Sequence, residues 1–520
     1  FKLNSWQKTG RLSSQYTITM TIRYTNLIFA FVLLLGTAQA QWTQWGQTVQ
    51  GDWAHETSGG VVSMPDAHTV GIGPGDDGGA TSFPDRIRVF TNNGNGWEQK
   101  GDDILGPPEF FDFGKTMCMG DANTIAAHTG SDGGITDPGH VLVHAWSGST
   151  WEQKGMPIDG DDFWDSFGRS LCMPDGNTLA IGVPGGAPSS SGHVEVYAWD
   201  GSDWVQKGAN INGAITAENF GRTVCMPDPN TVAIAAQEAW ADSAKPAPVR
   251  IYDWDGALWV QRGADIMGGM DENFGRSLSM PDANTIAMGA PGFKPYLSGL
   301  PGQTDPIPND GLARVYTWNG SAWVQKGADI NDDPVNDNAG WSVSMPDANT
   351  VAVGAPNDTP DGAQRGFVRV YGWDGGAWVQ TGEDIPENNA FGNQLGKSIS
   401  MPDTQTVAVG APIANTPGGS HSGMVMVYTW GPTSIAAASA HPFRIFPGAS
   451  PDRYVVDLGS MRHGVQVTLL DPLGRTVGGK QLAHAERFDL QLPDAAGLYV
   501  VNVHTVNGPS ATLKVVNAGR

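Results

Sequence analysis

Long hydrophobic runs are almost missing from these 520 residues: the longest uninterrupted apolar stretch is Leu27 to Leu35. A bilayer-spanning helix needs about 20 such residues, so no transmembrane segment is expected. Cysteine is equally scarce, with three copies and no Cys-x-x-Cys pair, which leaves no thiol metal or redox motif. Charged residues make up only 16%, whereas long helical and coiled-coil proteins are rich in Glu, Lys, Ala and Leu. Positive charge is the scarcer sign, 30 Lys and Arg against 53 Asp and Glu for a net of −23. A surface so acidic repels phosphate backbones, and nucleic acid is excluded as a partner.

Residues 1–40 carry four of the basic groups and no acid, so the chain from Gln41 onward is 26 minus 53, or −27. Met20 opens a stretch with Arg23, the apolar run, and Ala38-Gln39-Ala40. A basic start, a short greasy segment and a small-x-small site make an export signal over residues 20–40. Residues 1–19 are read as upstream sequence translated ahead of it. The mature chain is expected to be secreted or held at the outer cell surface.

Glycine and tryptophan are abundant, at 70 and 19 residues, and 40% of the chain is apolar. Such a chain buries a core, so disorder is excluded and a turn-rich, all-β protein remains. One unit recurs through it. A methionine stands at Met64, Met119, Met173, Met226, Met280, Met345 and Met401, each with a glycine five residues earlier. Each unit holds four runs of alternating polarity, the signature of strands with one buried face. Pro-Asp-x-Asn joins the first two runs, and Trp-Asp-Gly-x-x-Trp, as at Trp199 to Trp204, joins the last two. Four antiparallel strands repeated radially predict a β-propeller, here of seven blades over residues 41–431. The last unit lacks a fourth strand, and Trp42-Thr43-Gln44-Trp45-Gly46 supplies one at the front. The strand beginning at Trp42 is therefore expected to pair with the one ending at Trp430.

Phe-Gly is intact at Phe113-Gly114, Phe167-Gly168, Phe220-Gly221 and Phe274-Gly275, and Gly-Ala-Pro at Gly289 to Pro291, Gly354 to Pro356 and Gly410 to Pro412. The pattern resembles the FG-GAP repeat, the type that forms the seven-bladed head of integrin α subunits, in a shorter bacterial secreted form. That family places a calcium loop between the first two strands. Here the turn carries one carboxylate per copy, and calcium takes six to eight oxygens, so no metal and no cofactor is expected.

Residues 432–441 read as a linker. Residues 442–520 carry eight basic and six acidic groups, a net of +2 that leaves −29 on the propeller. Short runs such as Tyr454 to Val456, Val465 to Leu470 and Tyr499 to Val503 suggest an Ig-like β-sandwich. The order Phe443 to Pro447, Leu470-Asp471-Pro472-Leu473-Gly474-Arg475 and Gly497-Leu498-Tyr499-Val500 resembles the C-terminal sorting domain of bacterial type IX secretion. The resemblance implies that secretion machinery as a partner, and surface attachment or release.

No nucleophile elbow, phosphate loop or metal-spaced histidine set is present, so the chain is not expected to be an enzyme. Cys118, Cys172 and Cys225 share one repeat position with serines and are expected to be free, buried thiols. The hairpin tryptophans are expected to pack across strands. Lys115, Arg169, Arg222, Arg276 and Lys397, four residues before the Met, are expected to pair with acids between blades, with a cation ring at the channel mouth as the alternative. The connections between strands two and three and between units vary, unlike the others, and recognition favours variable loops on a rigid scaffold. Asp161, Asp162, Phe163, Trp164, Trp240, Tyr296, Asp332 and Asp333 are the candidate site for an extracellular protein or glycan. The alternatives are an enzyme acting on extracellular polysaccharide, with Asp161 or Asp333 as general acid or base, and a passive surface or matrix component.

Overall fold

A computed structural model describes residues 40–75, 85–94, 96–108, 112–130, 138–162, 165–185, 191–216, 218–236, 248–269, 272–292, 311–330, 338–356, 366–385, 393–432, 444–447, 453–471, 475–493, 497–505 and 511–517. Every regular element among them is a β-strand, and no helix is long and apolar enough to cross a membrane.

The repeat becomes a sheet through its turns. Ser277–Asp282, Thr285–Ala290, Leu312–Trp318 and Trp323–Gln325 pair antiparallel in chain order. In the first turn the Asp282 carboxylate accepts the Asn284 amide at 2.7 Å, and Asp66, Asp121, Asp175, Asp228, Asp347 and Asp403 do the same in their own copies. The single acid of Pro-Asp-x-Asn is thus occupied in shaping the turn.

Among the described residues, seven sheets share this order. Their first strands contact one another in chain order, and Ser398–Asp403 returns to touch Val61–Asp66. A circle of four-stranded antiparallel sheets is a β-propeller. The closing pair is the one expected: Ala40–Gln44 runs antiparallel to Met424–Pro432 with Trp42 opposite Trp430. Ala40–Gln44 thus supplies the outermost strand of the last sheet.

The core lies between sheets. Second strands such as Thr178–Val183 and Thr406–Ala411 are buried along their whole length. One cluster joins Ala126, Val141 and Val143 of the second sheet to Leu171, Met173 and Ile181 of the third.

The fourth run differs from a single strand. Trp204–Gln206 pairs with the far end of His193–Trp199, and Ile211–Asn212 returns to pair with its beginning. Gly208, at φ +82°, makes the bulge between them, and a side chain there would strike Trp254 of the next sheet at 2.5 Å. Glycine meets both demands at once.

The C-terminal region holds Arg444–Pro447, Arg453–Leu470, Thr476–Gln491, Gly497–His504 and Ala511–Asn517 in one five-stranded antiparallel sheet. The runs at Tyr454 and Val465, expected as separate strands, form one strand because pairing with Thr476–Gln491 continues past a register shift between Asp457 and Arg462. Val456 before the shift and Leu458 within it share a core with Val465, Val467 and Leu469 after it.

Candidate functional site

The innermost strand of each sheet is entered through a tight backbone turn. Asp112, Ser166, Asn219, Asn273, Asn338 and Gln394 have φ between 52° and 59°, and the glycine two residues on, Gly114 to Gly396, is also positive. Asn and Asp tolerate this left-handed region better than most residues. The residue between them is a phenylalanine in four copies, and Phe113, Phe220 and Phe274 are almost wholly buried. Burying the ring and reversing the backbone aim the next side chain at the axis.

That next position is Gly60, Lys115, Arg169, Arg222, Arg276, Trp341 and Lys397, and all seven line a central cavity of about 550 Å³. The following residue in six copies is Ser or Thr, which stitches one sheet to the next. Ser170 donates to the Gly221 carbonyl at 2.9 Å, Ser277 to Gly340 at 2.9 Å, Ser342 to Gly396 at 2.7 Å and Ser398 to Gly59 at 2.8 Å. Those carbonyls belong to the Phe-Gly glycine or its equivalent. The glycine of Gly-Ala-Pro lies against the same atom: a Cβ on Gly289 would sit 1.9 Å from the Gly340 oxygen, and one on Gly410 2.1 Å from the Gly59 oxygen. The two halves of the repeat motif thus meet across each seam.

The axial cations were expected to pair with acids between sheets, with a cation ring at the channel mouth as the alternative, and all five come to the cavity wall. Lys115 pairs at 2.7 Å with Asp112, three residues before it in its own sheet. Arg276 lies 4.4 Å and Lys397 3.8 Å from the ring centre of Trp341, one on each side in the repeat order. Burial first, and then the charge of Arg169, bring the Arg276 guanidinium down to about 10. Among the described residues the cavity wall carries these five cations and one carboxylate, Asp112. The physical reason is convergence: first strands crowd around the axis, and one repeat position from every sheet faces the same space.

Acid pairs are also made by arginines of the third strands, which sequence reasoning missed. Arg250 meets Glu218 at 2.7 Å and Asp265 at 3.0 Å, Arg314 meets Glu272 at 2.6 Å and Asp329 at 2.9 Å, and Arg369 meets Asp384 at 2.6 Å. Hydrogen bonds donated to Asp329 and Glu272 raise the Arg314 pKa above its ordinary value. The signal was present as an Arg followed fifteen residues later by the Asp of Gly-x-Asp-Ile, three times over.

The tryptophans pack as expected. Trp204 lies 5.5 Å from Trp199 and donates to the Lys154 carbonyl of the preceding sheet at 2.9 Å. Lys154 caps the pair at 4.9 and 5.2 Å and donates to Gly176 and Asn177. The three thiols are free and half-buried rather than fully buried. Their position reaches the neighbouring sheet: Cys172 accepts the Met226 amide at 3.1 Å just as Ser63 accepts that of Met119 at 3.0 Å.

Of the loop candidates, Asp161 and Asp162 are exposed on the bend after Ile158–Asp159. Beside them Asp165 is buried, and that burial, with the charge of Asp162 next, raises its pKa. Phe163, Trp164, Trp240, Tyr296, Asp332 and Asp333 lie outside the described residues. The cavity mouth and the variable connections share one end of the propeller: Pro74, Gly75 and Pro412, where second strands run out, line the same cavity as Lys115 and Lys397, where first strands begin. Among the described residues no cluster of His, Cys, Asp and Glu is arranged to hold a metal.

No family model matches the chain, and no curated protein matches it. Among solved structures it is similar to the β-propeller domain of the Trilobed protease from Pyrococcus furiosus, at 11% identity and TM-score 0.37 over 67% of this chain and 90% of that one. It is also similar to a provisionally assigned 6-phosphogluconolactonase from Bacteroides uniformis ATCC 8492, at 12% identity and TM-score 0.45 over 70% and 92%.

Proposed function

We propose that this chain is an exported, non-enzymatic binding module: a seven-bladed propeller of the FG-GAP type whose variable end receives an extracellular protein or glycan, followed by an Ig-like sorting domain of the type IX secretion kind. The observation that carries the reading is the position of the cation-lined cavity, which opens at the end where the connections vary. At the other end the turns are short and repeat their hydrogen bonds copy by copy, leaving little for selection to diversify. The seam between Phe-Gly and Gly-Ala-Pro supports the FG-GAP assignment. The export signal and the sorting resemblance support a secreted or cell-surface location.

The test is a glycan and protein array probed with the full chain, followed by Trp164→Ala and Trp240→Ala. Binding should fall at least about tenfold in both variants with the melting temperature unchanged, as for anchor residues of an interface. Binding that is unaffected by either change removes the loop site, and absence of any saturable ligand removes the module reading.

A further inference from the structure

The cations of this acidic molecule are distributed unevenly. The propeller carries 18 basic and 47 acidic residues, yet five of those 18 gather around one cavity. Like charges brought together in a partly desolvated space repel one another, and repulsion grows as the local dielectric falls. Arg250, Arg314 and Arg369 offset the same cost with carboxylates held beside them. Arg276 does not: among the described residues its charged neighbour is Arg169 and its stacking partner is Trp341. Trp341 holds Arg276 on the wall at 4.4 Å and Lys397 at 3.8 Å, so a rigid aromatic positions two of the cations. A volume of about 550 Å³ is within the usual range for small-ligand sites.

We propose that the axial cavity is an anion site for a ligand carrying two or more clustered oxyanions, held by Lys115, Arg169, Arg222, Arg276 and Lys397 beside Trp341. Arginine presents a planar fork that matches carboxylate, sulfate and phosphate alike. The shared chemistry is therefore clustered oxyanions, from a free small polyanion or from the acidic sugars of a glycan. The proposal deepens the binding-module reading and rests on it for the origin of the ligand.

The full chain is titrated with inorganic pyrophosphate, a sulfated disaccharide and an uncharged disaccharide, following tryptophan fluorescence and the melting temperature. A charged probe should bind saturably and raise the melting temperature, because a ligand that binds the folded state stabilises it, and the uncharged sugar should do neither. Tighter binding of the sulfated sugar assigns the site to acidic glycans, and tighter binding of pyrophosphate to free polyanions. Arg276→Gln and Lys397→Gln should each weaken the charged probe about tenfold or more, while Lys154→Met at the rim leaves it unchanged. Without probe, Arg276→Gln should melt no lower than the parent chain, which an arginine kept for structure would not allow. Absence of saturation by either charged probe, equal binding of the uncharged sugar, or unchanged affinity in Arg276→Gln overturns the proposal. If array ligands still bind while these results fail, the module reading survives and the axial site does not.

Discussion

Neighbouring sheets of this propeller are joined in two different ways, at the axis and at the rim. At the axis the contacts are backbone and small side chains: a serine hydroxyl on a glycine carbonyl, and a Ser or Cys accepting a methionine amide. At the rim they are large side chains, a Trp pair capped by a Lys that reaches the adjacent turn. Wedges that converge leave no room for side chains at their narrow edge and a gap to fill at their wide one. The difference teaches that repeated cations can have opposite purposes. Rim lysines close seams between sheets, whereas axial cations project into space that the seams enclose.

The comparison breaks first at the rim. Trp204 is 8% exposed and donates to the preceding sheet, so Trp204→Ala should cost about 4 kcal/mol, read as a lower denaturation midpoint with unchanged slope. At the axis the damaging change is addition. Gly410→Ala places a methyl 2.1 Å from the Gly59 oxygen, at the seam where the last sheet meets the first. Overpacking against backbone should cost about 3 kcal/mol, whereas Gly431→Ala, with open space around it, should stay within about 0.5 kcal/mol. The smallest of the three losses sharpens the contrast. Lys154→Met keeps the aliphatic stem but loses the bonds to Gly176 and Asn177, for about 1 kcal/mol. Equal losses on removing Lys154 and Arg276 would erase the distinction between seam and site.

Much of this was legible along the chain. The Met-centred repeat located every first strand, Pro-Asp-x-Asn located its turn, and the strandless end at Trp430 called for a partner at Trp42. The acid pairs of the third strands escaped notice because Arg314 and Asp329 are fifteen residues apart and face each other only after the Gly327 bulge returns the chain to the strand it left. The axial cations were visible as a repeated position, but their surroundings were not. Lys397 and Trp341 belong to different sheets, and strand periodicity says nothing about what converges between sheets.

Local rules written in the residues determined the strands, the turns, the register and the circular order, because each depends on neighbours a few positions away or on one repeat matching the next. Tertiary structure alone decided which periodic charges meet acids across a strand and which come together at one cavity. Closing the ring brings together one position from every copy, and the electrostatics of that gathering exist only once the ring is closed.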